Sequence, residues 1–355
     1  MKMICVCVSG SVPDLGQKES HIPVLLVQNP GFQSSSFRRY TQQQQTVGSA
    51  GLDFGSGWEL ILPTGWSMAF WIALVYRGAK AVGLREQRSL AFEAGRLAFP
   101  DCCPDTPAGA KMSLSKADEL HSAYNRRPPA KRCNYDKMGV VAPFHCPCLE
   151  LVQGWMHSCR DSSDHDVDDR SFYCVRNQKL LSSLNDACAG RNLQLKSCKR
   201  NSLDESATTS VLTELLHCGC AVVKVRVVLL GRGSPTKFAL ICLPAKEDIL
   251  DTADVRNRGR VKGPTEPRHR KSSDTKTVDL NPSTVLGSTV RPTIGFVVEG
   301  GFSHATAKGC GVGFVSALGL RKLLEQKPPA ASYTAVLVRC SHSLQYRHAA
   351  LQVVL

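Results

Sequence analysis

One run of cations has the residue types and spacing to bind an anion, and it surrounds two prolines at 126–132, in the sequence RRPPAKR. Proline restricts φ and lacks a backbone donor, so we predict an extended, polyproline-like path that holds the cations apart at spacings comparable to successive phosphates. Arginine can grip a phosphate through two hydrogen bonds, and a tyrosine ring can stack on a base. The predicted RNA-contacting residues of this segment are Arg126, Arg127, Lys131, Arg132 and Tyr135. Spacing alone leaves two alternatives open, which are ion pairs with the protein's own surface and binding of an acidic protein.

A second set of cations follows an apolar block that contains three of the four tryptophans. Isolated cations at the end of an apolar element often only cap or solvate it, so this set ranks second as an RNA contact. Its members are Arg77, Lys80 and Arg85. The apolar run 66–76 is far shorter than the roughly 20 residues that cross a bilayer, so we predict a core element and no membrane partner. The predicted buried residues of the block are Trp58, Pro63, Trp66 and Trp71.

Other candidate sites are weaker. The pairs Cys146/Cys148 and Cys218/Cys220 have one residue between them, whereas zinc thiolate pairs usually have two or more, so thiols without a metal are favoured. At 161–169 five aspartates give the first three positions of a calcium loop, but the required Gly and Glu positions hold Asp169 and Val175. There is no phosphate-binding Gly-x-x-x-x-Gly-Lys loop and no Gly-x-Ser-x-Gly elbow. We therefore predict no metal, no cofactor and no catalytic residues.

Composition is consistent with an anionic partner. The 355 residues include 44 Lys and Arg against 30 Asp and Glu, a formal net charge of +14. Such an excess favours nucleic acid without identifying it. Sixteen cysteines would suit a disulfide framework in a short secreted chain, but the first residues have no signal-peptide core. Reduced thiols in the nucleus or cytosol are the expectation.

The block GWELILPTGWSMAFW beside RRPPAKR resembles the POPLD domain of the largest protein subunit of ribonuclease P and ribonuclease MRP, which process precursor tRNA and ribosomal RNA. Further segments occur in the order expected for that family, at 22–31, 126–144, 241–250, 295–320 and 343–347. The resemblance implies a non-catalytic, RNA-binding scaffold in the nucleus and nucleolus. Its implied partners are the catalytic RNA of ribonuclease P, the RNA of ribonuclease MRP and their other protein subunits. The family's long basic amino-terminal half has no counterpart here, which implies a carboxy-terminal portion or a truncated gene model.

A second resemblance covers the glycine-rich sequence GFVVEGGFSHATAKGCGVGFV, which is similar to the carboxy-terminal barrel of the aminomethyltransferase family. Its glycines permit tight turns and close backbone approach that a Cβ would block. They are Gly300, Gly301, Gly309, Gly311 and Gly313. The resemblance implies a barrel-like domain. The alternative function is therefore a folate-dependent aminomethyltransferase-like enzyme, although that family's amino-terminal catalytic carboxylate has no match here.

The predicted fold class is α+β, with a POPLD-type domain followed by a β-rich barrel. We expect a poorly ordered segment at 1–54 with one strand, the POPLD domain at 55–155, an acidic loop with a linker or helix at 156–210, and a β-rich domain at 211–355 with a disordered basic insertion at about 251–292. The run AVVKVRVVLL at 221–230 alternates valines with Lys224 and Arg226, which is typical of a half-buried strand. Other expected strands are at 22–27, 237–243, 293–298, 311–318, 334–338 and 350–355, and a helix is expected at 113–124.

Overall fold

The computed structural model describes residues 21–29, 57–159, 171–189, 213, 215, 218–248, 263–267, 280–328, 331 and 333–355. The acidic run 161–169, with its calcium-like positions, lies outside these residues. The chain divides into two compact units, Met1–Glu86 and Gln87–Leu355. That division differs from the domain boundaries expected at 155 and 211. Among the described residues, no helix combines the length and the apolar character that a membrane span requires.

The described residues of the first unit form a two-stranded antiparallel sheet and one complete helix. Strands β1 (Leu25–Asn29) and β2 (Gly57–Ile61) form the sheet, and helix α1 (Ser67–Tyr76) follows. The helix lies between Gly65 and Gly78, whose φ angles of +94° and +90° favour glycine. The predicted element at 66–76 is therefore a helix that begins and ends beside glycine turns.

The prediction that the tryptophans of this block are buried is wrong for the described structure. Trp58, Trp66 and Trp71 are 60%, 41% and 50% exposed, and Pro63 is only half-buried. No residue of α1 is buried. A two-stranded sheet and a ten-residue helix provide too few neighbours to enclose an indole ring, because a buried core residue usually touches about 6 to 12 others.

The described residues of the second unit also form helices. They are α2 (Leu84–Glu93, which starts in the first unit), α3 (Pro107–Asn125), α4 (Cys148–Cys159), α5 (Gln178–Cys188), α6 (Pro282–Leu286) and α7 (Ala317–Glu325). Helix α3 begins earlier than predicted, because Thr106 caps it by accepting a hydrogen bond from the Gly109 amide and proline occupies its first turn. Helix α4 packs against α6, α7 and the sheet through a buried stripe with helical spacing.

The sheet of the second unit is a six-stranded antiparallel barrel. Its strands are β4 (Ala221–Leu229), β5 (Leu240–Cys242), β6 (Thr293–Ser303), β7 (Lys308–Ser316), β8 (Thr334–Arg339) and β9 (Tyr346–Val353). They pair in the order β4-β7-β6-β5-β8-β9, and pairing of β4 with β9 closes the ring. The short strand β3 (Tyr173–Cys174) joins β4 in parallel. The predicted mixed fold with a β-rich, barrel-like carboxy-terminal region is thus confirmed.

Strand β4 is buried on both faces, not half-buried as its alternation suggested. Arg226 is only 1% exposed, and its Nη2 lies 3.8 Å from the sulfur of Cys310. The chain at Gly95 covers it so closely that a Cβ there would lie 2.9 Å from Arg226 Nη1. The face of β4 that carries Arg226 is therefore covered by another part of the chain, around Gly95.

The predicted disordered insertion is ordered in two places. Thr265 forms a β-bridge with Gln345, and Glu266 is buried beside it. The Glu266 carboxylate accepts hydrogen bonds from the Tyr346 hydroxyl and, at 2.8 Å, from the Val290 amide. Helix α6 lies in the same expected insertion. A buried, hydrogen-bonded carboxylate and backbone pairing require no apolar run, so hydrophobic patterning could not reveal them.

Asp105 joins the start of α3 to β3, which gives a prediction for stability against pH. Both guanidinium Nη atoms of Arg176 lie 2.7 Å from its carboxylate oxygens, and the Cys174 amide donates at 3.0 Å. Burial raises the pKa of Asp105, but these hydrogen bonds and the Arg176 charge outweigh it and lower the pKa from 3.8 to about 2. The stabilisation is therefore present above the unfolded value and is lost as pH falls from about 4 to about 2.

We expect Asp105→Asn to lower the free energy of unfolding at pH 7 by about 1 to 2 kcal/mol, a value reduced because Arg176 is half exposed. The difference in unfolding free energy between the variant and the wild type should approach zero as pH falls towards 2. Denaturant unfolding at pH 7, 5 and 3 measures it, with Asp118→Asn on the exposed face of α3 as the matched control. A constant gap at all three pH values would contradict the linkage.

Candidate nucleic-acid interface

The cation run forms a compact turn at the carboxy-terminal end of α3. Helix α3 ends at Asn125, Pro128 has polyproline-like angles (φ −56°, ψ 143°), a 3-10 helix follows at Pro129–Lys131, and Arg132 is extended again (φ −82°, ψ 135°). The predicted extended path is therefore wrong at Pro129–Lys131, where the chain turns. Proline is favourable in the first turn of a helix, which explains why Pro129 starts the 3-10 turn.

Three of the predicted cations are exposed on this turn. Arg127 and Lys131 make no side-chain hydrogen bond or ion pair with any residue that the structure describes, and Arg126 donates from Nε to the Ser122 carbonyl at 3.3 Å. We call Arg126, Arg127 and Lys131 the outward cations. Three positive side chains on one short turn can bind successive phosphates of a flexible strand.

The fourth cation, Arg132, is engaged within the turn. Its Nε donates to the Arg127 carbonyl at 2.7 Å and its Nη2 donates to the Asn125 carbonyl. Its guanidinium carbon lies 5.7 Å from the centroid of the Tyr124 ring, within cation–π range. The structure therefore does not support the expectation that Arg132 points outwards to phosphate.

Tyr135 is half-buried in an aromatic cluster. Its ring centroid lies 5.5 Å from that of Tyr124 and 5.6 Å from that of Phe144. Burial raises the pKa of its hydroxyl above the usual value. Because both neighbouring rings pack against it, the expected stacking of Tyr135 on an RNA base is not supported, and the ring instead supports the turn.

The barrel holds the chain that follows the turn through an arginine that the sequence did not single out. Arg339 on β8 is fully buried, and its Nη1 donates to the Met138 carbonyl at 2.7 Å. Its Nη2 donates to the Gly139 carbonyl at 3.4 Å, and its guanidinium lies 5.8 Å from the Tyr346 ring centroid. A buried arginine with backbone acceptors has no sequence signature, because the acceptors carry no side-chain identity.

The second set of cations and the first cysteine pair differ in their exposure. Arg77, Lys80 and Arg85 are exposed in the first unit. In the second unit Cys148 is buried and Cys146 is partly buried, and desolvation raises the pKa of the Cys146 thiol to about 12. Within the described ranges, no three His, Cys, Asp or Glu side chains group as metal ligands would.

Two family models match the chain. The POPLD (NUC188) domain matches residues 57–148, which include the outward cations, and the POP1 C-terminal domain matches residues 221–284 and 273–355. Together they cover more than half of the sequence. Neither is an aminomethyltransferase model, so the second resemblance is not confirmed and the folate-dependent alternative gains no support.

Curated relatives agree with these models. The chain is 29% identical over 462 aligned positions to the human "Ribonucleases P/MRP protein subunit POP1", covering 98% of this chain and 43% of the relative. It is 26% identical to the Caenorhabditis elegans "Ribonucleases P/MRP protein subunit popl-1", covering 67% of this chain and 28% of the relative. The Arabidopsis thaliana POP1 subunit is 44% identical over 77 residues, which are 22% of this chain and 9% of the relative. The chain thus spans less than half the length of these relatives.

Proposed function

The chain belongs to the POP1 family of ribonuclease P/MRP protein subunits, and from this premise we propose that it is a non-catalytic, RNA-binding scaffold subunit of ribonuclease P and ribonuclease MRP. Its proposed processes are removal of the 5′ leader from precursor tRNA and processing of ribosomal RNA. Its proposed partners are the RNAs of the two ribonucleoproteins and their other protein subunits. The proposed location is the nucleus and nucleolus.

The observation that carries this proposal is the turn at the end of α3. The three outward cations lie on a turn that packs beside the aromatic cluster of Tyr124 and Tyr135. The chain that follows the turn is hydrogen-bonded to the barrel through Arg339. A cation on a supported turn loses less conformational freedom when it binds phosphate than one on a free arm. The turn also lies within the POPLD match. Bracing an RNA requires such fixed contacts to its backbone, whereas cleavage is proposed to belong to the RNA.

The outward cations give the test of this function. If each neutralises one phosphate of a single-stranded or loop segment, replacing all three by glutamine should reduce the slope of log affinity against log salt by about 2. With this change in slope, the triple variant should bind RNA about a hundredfold more weakly than the wild type at 0.1 M salt and almost equally well near 1 M. Fluorescence anisotropy with a labelled ribonuclease P RNA transcript, titrated between low and high salt, measures both quantities.

The matched control is Lys179→Gln, an exposed cation at the start of α5. It changes the net charge but should leave the slope within experimental error of the wild type. Far-UV circular dichroism checks that each variant is folded. A triple variant with the wild-type slope would show that these cations do not contact the RNA and would refute the proposed interface.

A further inference from the structure

We propose that Arg132 is a positioning residue, which holds the cation-bearing turn in shape and does not itself contact phosphate. The proposal rests on the function proposed above, since it concerns how the outward cations are presented to RNA. It reverses the role that the residue's place in RRPPAKR suggests. Its basis is the pattern of contacts that Arg132 makes inside the turn.

Arg132 closes the turn across its two ends. It donates to the carbonyl of Asn125, the last residue of α3, and to the carbonyl of Arg127, two residues later. The final carbonyls of a helix have no partner within the helix, so a donor from beyond the helix satisfies them. Two different nitrogens of one guanidinium reach two different carbonyls. This forked geometry ties the residue after the 3-10 helix to the end of α3.

Tyr124 holds Arg132 from the other side. Its ring lies beneath the guanidinium at 5.7 Å, and its hydroxyl donates to the Cys133 carbonyl at 2.7 Å. Arg132 and Cys133, the residue after it, are therefore both held against the last turn of α3. Lysine could not reproduce this arrangement, because a single ammonium group provides neither the planar fork nor the flat face that stacks on a ring.

The closed turn also determines which charges face outwards. The carboxy-terminal carbonyls of a helix carry partial negative charge, which repels phosphate. Arg132 and Arg126 donate to carbonyls at this end, at Asn125 and Ser122. Arg127 and Lys131 keep their side chains free of hydrogen bonds to the described residues. A phosphate gripped by the Nε and Nη2 edge of Arg132 would displace both of its carbonyl hydrogen bonds, so this edge of the guanidinium is engaged within the protein.

Charge-conserving substitutions separate positioning from phosphate contact. Arg132→Lys keeps the positive charge but loses the planar guanidinium that donates to two carbonyls. Arg127→Lys makes the same change at an outward cation. We expect Arg127→Lys to bind the ribonuclease P RNA transcript within about twofold of wild type, since a point charge suffices for a phosphate. We expect Arg132→Lys to weaken binding as much as Arg132→Gln, by about three- to tenfold, despite its unchanged charge.

Hydrogen exchange of the protein without RNA gives a readout that does not depend on binding. The Lys131 and Arg132 amides donate to the Pro128 and Pro129 carbonyls at 2.8 and 3.2 Å. They should exchange faster in Arg132→Lys than in Arg127→Lys, at an unchanged melting temperature. If Arg132→Lys were to unfold, Tyr124→Phe, which loses the bond to Cys133 and keeps every cation, should show the same local loss and the same weaker binding.

The outcomes are distinct. Arg132→Lys with wild-type affinity, combined with a slope loss of about 0.7 in Arg132→Gln, would identify a phosphate contact and overturn the proposal. Unchanged amide exchange in Arg132→Lys would overturn it as well. Wild-type binding of Arg127→Gln and Lys131→Gln would instead refute the proposed interface, which is a separate failure.

Discussion

Trp155→Ala is expected to lower the free energy of unfolding of the second unit by about 3 to 5 kcal/mol. The indole is 5% exposed on α4, and its Nε1 donates to the Thr293 carbonyl at 3.0 Å. Helix α7 passes so close that a Cβ on Gly319 would lie 3.2 Å from the ring. Alanine would leave a cavity between α4, α7 and β6 and would also remove a buried hydrogen bond.

The matched control is Trp71→Ala, the same substitution on α1 in the first unit. Trp71 is half exposed and lies on a helix with no buried residue, so the loss should stay below about 1 kcal/mol. Guanidinium unfolding followed by far-UV circular dichroism measures both variants. Equal losses for the two variants would show that the ring of Trp71 is buried in solution and would contradict the exposed block.

Gly313→Ala is expected to cost about 3 kcal/mol or more, enough to impair folding of the barrel. A Cβ at this position of β7 would lie 2.0 Å from the Phe296 carbonyl oxygen and 2.8 Å from the Val297 Cα. These are backbone atoms of the neighbouring strand β6, which pairs on both sides in a closed ring. They cannot move away without breaking ladder hydrogen bonds.

Gly301→Ala is the control from the same glycine-rich sequence. Its Cβ would meet only the Phe92 ring, at 3.9 Å from Cζ and 4.0 Å from Cε1, which are ordinary van der Waals distances. We expect a change of less than about 0.5 kcal/mol, because alanine also restricts the unfolded chain. Soluble yield and thermal unfolding of both variants measure the difference. Similar stability for the two would contradict the assigned backbone contact at Gly313.

The sequence predicted the strands of the barrel because they carry local signals, whereas the expectation that they form a barrel came from the resemblance of the glycine-rich sequence. The valine alternation of β4 and the β-branched runs of β6 and β8 indicate extended chain without reference to any neighbour. The glycine-rich sequence indicated close backbone approach, and the contact distance at Gly313 agrees with it. The same patterns could not show that both faces of β4 are covered, because coverage depends on the distant chain around Gly95.

The prediction that the tryptophan block is buried was wrong because it rested on residue type alone. A large apolar side chain predicts a tendency to be buried, but burial requires neighbours that other parts of the chain supply. The described residues of the first unit supply too few for Trp58, Trp66 and Trp71. The indole of Trp155 was not distinguished by sequence, yet it lies at the meeting point of two helices and a strand.

The sequence by itself determined that four cations surround two prolines, and so the positive charge of this segment. Only the tertiary structure decided which cations face outwards. Reversal of the chain after α3 brings Arg132 beside the carbonyls of Asn125 and Arg127, where its Nε and Nη2 donate hydrogen bonds within the protein. Arg127 and Lys131 have no such acceptors in the described structure. Residue type sets the charge of a side chain, but the fold sets its hydrogen-bond partners, and those partners decide whether the charge is available to RNA.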